Sequence, residues 1–248
     1  MNHSSSIDRY GLIGRSLSHS FSKAYFTERF QTEDIAAVYE NVEVQFSEGL
    51  SEVLQRDFKG MNVTIPYKTT IMPFLDHIDE QAEAVGAVNC IAKRDGEWYG
   101  FNTDIYGFRE SLRPILKSHH RKALILGTGG ASKAVAFVLK EIGLDFKFVS
   151  RQPKSDELSY KDLNANALKF YPLIVNTTPL GTSPDVDTCP DLPYEDMTEL
   201  NLTYDLVYNP EETLFMKRSA EHGAHVMNGK KMLLYQAERS WEIWNGLR

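Results

Sequence analysis

Short apolar runs alternate with stretches of helical spacing along nearly the whole chain. That alternation predicts an α/β fold in which strands and helices take turns. Residues 10–14 read as a strand ending in glycine, and a helical pattern follows Ser22 and runs through Phe30. Valine-rich alternation over 37–44 predicts a second strand, and 47–56 a short helix capped by Ser47. Residues 58–68 predict a strand stopped by Pro66, with Met61, Val63 and Ile65 facing the core and Asn62, Thr64 and Lys68 sharing the other face. A helix over 80–85 leads into a strand over 86–92. Asp95-Gly96 is a hairpin signal joining it to a strand over 97–104, and a helix over 105–116 follows, with Asp104 as its expected cap.

The second half repeats one theme. A buried strand over 123–126 runs into the turn Gly127-Thr-Gly-Gly-Ala-Ser132, and a helix over 131–142 follows at once. Strands over 146–150, 171–181, 201–207 and 224–227, with a helix over 211–222 before the last, complete the pattern of a doubly wound parallel sheet. The last helix, over 230–245, carries Met232, Leu233, Ala237, Trp241 and Trp244 at helical spacings, an apolar stripe for a core. The expected organisation is two domains: 1–104, an N-terminal α/β unit, and 105–229, a Rossmann-type unit. Helix 230–248 is expected to pack back near the first.

Composition narrows the picture. The chain has 248 residues, 42% of them hydrophobic, enough for an ample core. A net charge of −7 with no basic tract argues against nucleic acid as a partner. Two cysteines, Cys90 and Cys189, form neither a disulfide framework nor a metal-spaced pair, so no metal is expected and a reducing cytoplasm is. The first six residues are polar, so no signal peptide is expected, and no apolar run approaches the ~20 residues of a membrane span.

Candidate chemistry lies at the turns. Gly127 and Gly129 permit a tight turn and close approach of backbone N–H groups to a pyrophosphate, with Thr128, Gly130 and Ala131 completing the cradle; a purely structural turn is the alternative. About 20 residues on, where an NAD site carries an acidic side chain, this chain offers Ser150, Arg151 and Lys154, which favours NADP. Ligands of such sheets sit outside the carboxyl ends of the strands, here Thr177, Thr178, Leu206, Tyr208 and Gly229. Several serines precede the first helix. One serves as a cap, and the hydroxyls left over beside a helix N-terminus make a candidate carboxylate site, while His19 is expected to be structural. On periodicity alone Lys68 is a solvated lysine.

Seven segments together resemble the shikimate dehydrogenase family: Ser16-Leu-Ser-His-Ser20, Asn62-Val-Thr-Ile-Pro-Tyr-Lys68, Gly86-Ala-Val-Asn89, Asn102-Thr-Asp104, Gly127-Thr-Gly-Gly-Ala-Ser132, Asn176-Thr-Thr-Pro-Leu-Gly181 and Met232 to Gln236. The resemblance implies reversible NADP-linked reduction of 3-dehydroshikimate to shikimate, in a cleft between two α/β domains of a monomer or homodimer. It implies that Ser16 and Ser18 hold the substrate carboxylate. Asn62, Thr64, Asn89, Asp104 and Gln236 would bind ring hydroxyls, with Tyr208 adding a contact, and Lys68 and Asp104 would form the catalytic pair. Met232 would contact the cofactor. Ser150-Arg-Gln152 departs from the family's Asn-Arg-Thr, and Lys230 and Lys231 stand where smaller or apolar residues are usual. A quinate/shikimate dehydrogenase of broader specificity and a non-catalytic NADP-binding sensor are the alternatives.

Overall fold

The computed structural model describes residues 7–18 and 20–246. His19 and the polar start of the chain lie outside the described residues. The chain divides into two compact units, Met1–Thr103 with Ala237–Arg248, and Asp104–Gln236. The last helix is thus shared, residues 230–236 grouping with the second unit and 237–244 with the first.

The first unit is built on a six-stranded sheet of β1 (Asp8–Gly14), β2 (Ala37–Glu43), β3 (Gly60–Val63), β4 (His77–Ile78), β5 (Cys90–Arg94) and β6 (Glu97–Phe101), in the order β2-β1-β3-β5-β6-β4. β1 pairs parallel with β2 and β3, whereas β5 runs antiparallel to β3 and β6. The β5–β6 hairpin turns on Asp95 and Gly96, both at positive φ (51° and 90°), as a two-residue turn between twisted strands demands. α1 (Phe21–Thr32) is capped by Ser20, whose Oγ accepts from the Lys23 N–H at 3.1 Å, and buries Phe26 and Phe30 one turn apart. α9 (Lys230–Trp244) ends with Trp244 stacked on Tyr10 at 4.9 Å between ring centroids. Its indole N–H donates to the Ile91 carbonyl, and a Cβ on Gly60 would overlap the ring, so only glycine fits beneath it.

Three short helices connect these strands, α2 (Gly49–Leu54), α3 (Tyr67–Thr70) and α4 (Glu80–Val85). Several local expectations change here. Ser47 does not cap α2: Glu48 holds that position with no side-chain cap bond, and Ser47 accepts the Leu50 N–H through its backbone carbonyl. β3 ends at Val63, five residues before Lys68, because the Thr64 carbonyl accepts the Tyr67 N–H and turns the chain into α3. Strand alternation therefore does not extend to Lys68, which is half-buried on α3, and Ile65, expected in the core, is 77% exposed. Asp104 is not a cap but lies in the first turn of α5 (Thr103–Leu112), which stops short of 116 because Pro114 diverts it into a 3-10 turn.

The second unit holds a fully parallel sheet of β7 (Lys122–Leu126), β8 (Asp145–Ser150), β9 (Leu158–Ser159), β10 (Leu173–Asn176), β11 (Leu202–Asp205) and β12 (His225–Met227), in the order β12-β11-β10-β7-β8-β9. This is the Rossmann winding, with its reversal between β7 and β10. Ala123–Leu126 and Leu173–Val175 are sealed from solvent, as strands covered on both faces must be, which explains their unbroken apolar runs. α6 (Gly130–Glu141), α7 (Ala165–Phe170) and α8 (Leu214–Glu221) complete the unit, α6 burying Ala134, Val135, Val138 and Leu139. Among the described residues no helix is long and apolar enough to cross a membrane, and no cluster of side chains could hold a metal.

His120, at the amino end of this sheet, is 3% exposed. Its Nδ1 accepts the Lys117 N–H at 3.0 Å, so Nε2 carries the proton and donates to the Leu200 carbonyl. Burial, aided by His119, lowers its pKa from 6.5 to about 4. The unfolded chain binds a proton below 6.5 that the native ring refuses, so stability is complete above that value and falls as pH drops toward 4. The loss should reach about 2 kcal/mol near pH 5. Asn at position 120 keeps an acceptor for Lys117 without titrating. Urea unfolding near pH 7.5 and near pH 5 should therefore show His120→Asn losing less stability on acidification than the parent, by about that amount.

Candidate functional site

In the first unit, Ser16 and Ser18 are exposed on the segment between β1 and α1, while Leu17 between them is buried. Asn89, just before β5, is 3% exposed. Its Oδ1 accepts the Thr103 N–H at 2.6 Å and the Thr103 hydroxyl at 3.2 Å. Those donors fix the amide's orientation and leave Nδ2 to donate elsewhere. Thr64, just past β3, is half-buried. Asn62 is buried as well. Its Oδ1 accepts the Tyr39 hydroxyl at 2.8 Å and its Nδ2 donates to Ser240 at 2.8 Å, with a longer bond to the Asn89 carbonyl. Both ends of the amide are thus engaged inside the core.

In the second unit, Gly127, Thr128 and Gly129, just past β7, and Thr177 and Thr178, just past β10, line one groove of about 1260 Å³. Gly127 has φ +99°, and a Cβ there would press on both threonines, so the turn requires glycine. A Cβ on Gly129 or Gly130 would meet nothing within 4 Å, and Gly129 gives α6 no side-chain cap. Room and uncapped N–H groups therefore lie together at a helix N-terminus, which suits a pyrophosphate. Ala131 is half-buried in the first turn, and Ser132, the third small residue of the fingerprint, is buried with its hydroxyl on the Gly129 carbonyl.

The threonines are held from behind. Thr177 Oγ1 donates to the Leu126 carbonyl at 2.7 Å, and Asn176 Oδ1 accepts both the N–H and the hydroxyl of Thr178. Asn176 Nδ2 in turn donates to Asp205, which also accepts from Val207 N–H and the Thr213 hydroxyl. Burial lifts the Asp205 carboxyl from 3.8 to about 6, the three donors working against the rise.

Ser150 and Arg151 line the far end of the groove after β8. Lys154, expected beside them, does not line it; its backbone N–H is tied to Glu157 and its side chain is exposed. Lys161 lines the groove in its place, with Ser159 and Tyr160. Burial raises the Tyr160 phenol above its ordinary value, the Arg151 guanidinium opposing and the Asp191 carboxylate adding to the rise. Both charges therefore act at this end. The sequence concealed Lys161 because β9, which sets it against β8, is only two residues long.

Leu206, Gly229 and Met232 do not line this groove. Gly229 instead donates its N–H to the Val207 carbonyl, and Met232 is buried beside Gly107, with its carbonyl against that glycine. Gln236 is buried, its Nε2 donating to the Leu233 carbonyl, and Tyr208 is 38% exposed with its phenol raised by partial burial. Lys68 belongs to the first unit and Asp104 is the first residue of the second.

A family profile described as the shikimate dehydrogenase substrate binding domain matches residues 12–91. "Shikimate dehydrogenase (NADP(+))" of Desulforamulus reducens is 35% identical over 95% of this chain and 89% of its own. The protein of the same name from Carboxydothermus hydrogenoformans is 36% identical over 96% of this chain and 91% of its own. Among solved structures, shikimate 5-dehydrogenase of Thermus thermophilus in complex with NADP(H) and shikimate superposes with a TM-score of 0.85. It is 31% identical, over 97% of this chain and 94% of that one. With similarity of this degree running through both units, the chain belongs to the shikimate dehydrogenase family.

Proposed function

We propose that this protein catalyses the reversible NADP-linked reduction of 3-dehydroshikimate to shikimate, a step toward chorismate and the aromatic amino acids. The observation that carries the reading is the groove at the winding reversal, where an uncapped helix N-terminus, the paired threonines and Arg151 with Lys161 offer a place to each part of NADP. The names borne by relatives matched over nearly their whole length support it. The reaction belongs in the cytoplasm of a cell that makes its own aromatic amino acids, carried out by a monomer or homodimer.

The reduced dinucleotide, when bound, supplies a hydride to the ketone carbon. The chain's own residues do the rest. Ser16 and Ser18 hydroxyls hold the substrate carboxylate, and Asn89 Nδ2, Thr64, Gln236 and Tyr208 recognise the ring hydroxyls. As the ketone oxygen gains charge, the Lys68 ammonium stabilises it and gives it a proton; in the oxidation Lys68 takes the hydroxyl proton back. Asp104 binds a ring hydroxyl and orients the ammonium. Arg151 and Lys161 hold the 2′-phosphate, Arg151 offering a planar fork and Lys161 a point charge. Lys154 has no part in this.

Three measurements test the reading. Initial rates with shikimate should exceed those with quinate, and NADP should exceed NAD, each by about tenfold or more, or ~1.4 kcal/mol. Comparable rates with quinate would move the protein to a broader-specificity quinate/shikimate dehydrogenase. Lys68→Ala should lower kcat by about a hundredfold or more while NADPH still quenches intrinsic fluorescence with unchanged affinity; a protein that binds NADPH but shows no turnover before mutation is a sensor. Arg151→Ala and Lys161→Ala should each raise KM for NADP by about tenfold and leave KM for NAD nearly unchanged. Equal effects on the two cofactors would remove these residues from the 2′-phosphate.

A further inference from the structure

Ser16 and Ser18 flank a residue that is held at three points. The Leu17 side chain, 5% exposed, packs with Tyr10, Phe26 and Tyr39, above a Gly14 whose Cβ would lie 2.5 Å from Leu17 Cδ2. The Leu17 N–H donates to Glu43 Oε1 at 2.8 Å, and the Leu17 carbonyl accepts from Asn41 Nδ2 at 2.8 Å. Asn41 and Glu43 stand two apart on β2 and so share a face, while Val42 between them is buried on the other.

We propose that Asn41 and Glu43 are positioning residues for the carboxylate pocket, clamping the Leu17 peptide so that the hydroxyls on either side of it keep a fixed spacing. The inference rests on the reading of Ser16 and Ser18 as carboxylate ligands. On one side the segment borders a cavity of about 580 Å³, lined by Leu17, Ser18, Lys23, Asn41 and Glu43 among others. Packing does not restrain the segment there, and the two hydrogen bonds do. Asn41 Oδ1 is buried with no hydrogen-bond partner among the described residues. A buried carbonyl oxygen left unpaired opposes folding, so an asparagine here works against stability at one end while its other end fixes the serine segment. Glu43 acts as an acceptor, a task that needs an oxygen and not a charge.

The test compares steady-state rates, NADPH affinity and thermal unfolding across a set of variants. Asn41→Ala and Glu43→Ala should each raise KM for shikimate by about tenfold, the scale of one lost hydrogen bond, with kcat and NADPH affinity within about twofold of the parent. Glu43→Gln, which keeps the acceptor, should restore KM to near the parent value. In a Ser16→Ala/Ser18→Ala background, Asn41→Ala should add less than about twofold, because its effect travels through hydroxyls no longer present. An unchanged KM in both single alanine variants overturns the proposal, as does a full tenfold effect in the serine-less background. If the serine double variant itself leaves KM unchanged, the reading of the serines falls and takes the inference with it. If that variant raises KM while the β2 variants do not, only the inference falls. Glu43→Ala probes the same peptide from its other end should Asn41→Ala fail to fold.

Discussion

A carboxylate sealed from water at the end of a parallel strand has to be surrounded by donors, and much of the second unit's ligand face follows from how Asp205 meets that demand. It has no exposure and accepts from Asn176, the Val207 N–H and Thr213. Each donor belongs to a different piece of the fold: the end of β10, the turn after β11 and the cap of α8, where Thr213 Oγ1 also accepts the Met216 N–H. The carboxylate therefore fastens two strand ends and a helix start to one another. Asn176, committed on its amide side to Asp205, has its oxygen free to grip Thr178. The groove wall is fastened from behind by an acid that does not line it.

The first unit solves a similar problem with weaker groups. Its exposed Ser16 and Ser18 sit on an irregular segment, which has no ladder to hold it, and β2 lends side chains in place of backbone partners. Deeper in, the chain Tyr39–Asn62–Ser240 and the Asn89–Thr103 pair connect β2, β3, β5, α5 and α9 through amides and hydroxyls alone.

The elements that could be read from the chain were those whose burial is uniform or strictly periodic. β7 and α6 were legible because a strand covered on both faces and a helix with one buried stripe leave unmistakable patterns. β9 and α3 were not, since two and four residues are too few to carry a period. The error at Lys68 followed from extending a period of two through Pro66, and Ile65 went with it: an isoleucine is no guide to burial once the strand has ended. The bonds of Asn62 to Tyr39 and Ser240 were not legible, because residue type and motif do not say which groups an amide meets. Lys154 and Lys161 are both lysines past the same strand, and only the placement of β9 separates them. The glycine turn and the threonine pair were legible because a tight turn demands glycine and the strand ends of such a sheet mark its groove.

The seat that Gly60 leaves for Trp244 has a consequence for folding. The first unit is made of two stretches, residues 1–103 and 237–248, and the indole that fills its core comes from the second of them. The second unit is one continuous stretch, Asp104–Gln236, and closes on contacts within itself. Tyr10 and Phe26 are covered only when Trp244, most of the chain away, has come back to them, so the first unit carries a loop-closure entropy that the second escapes.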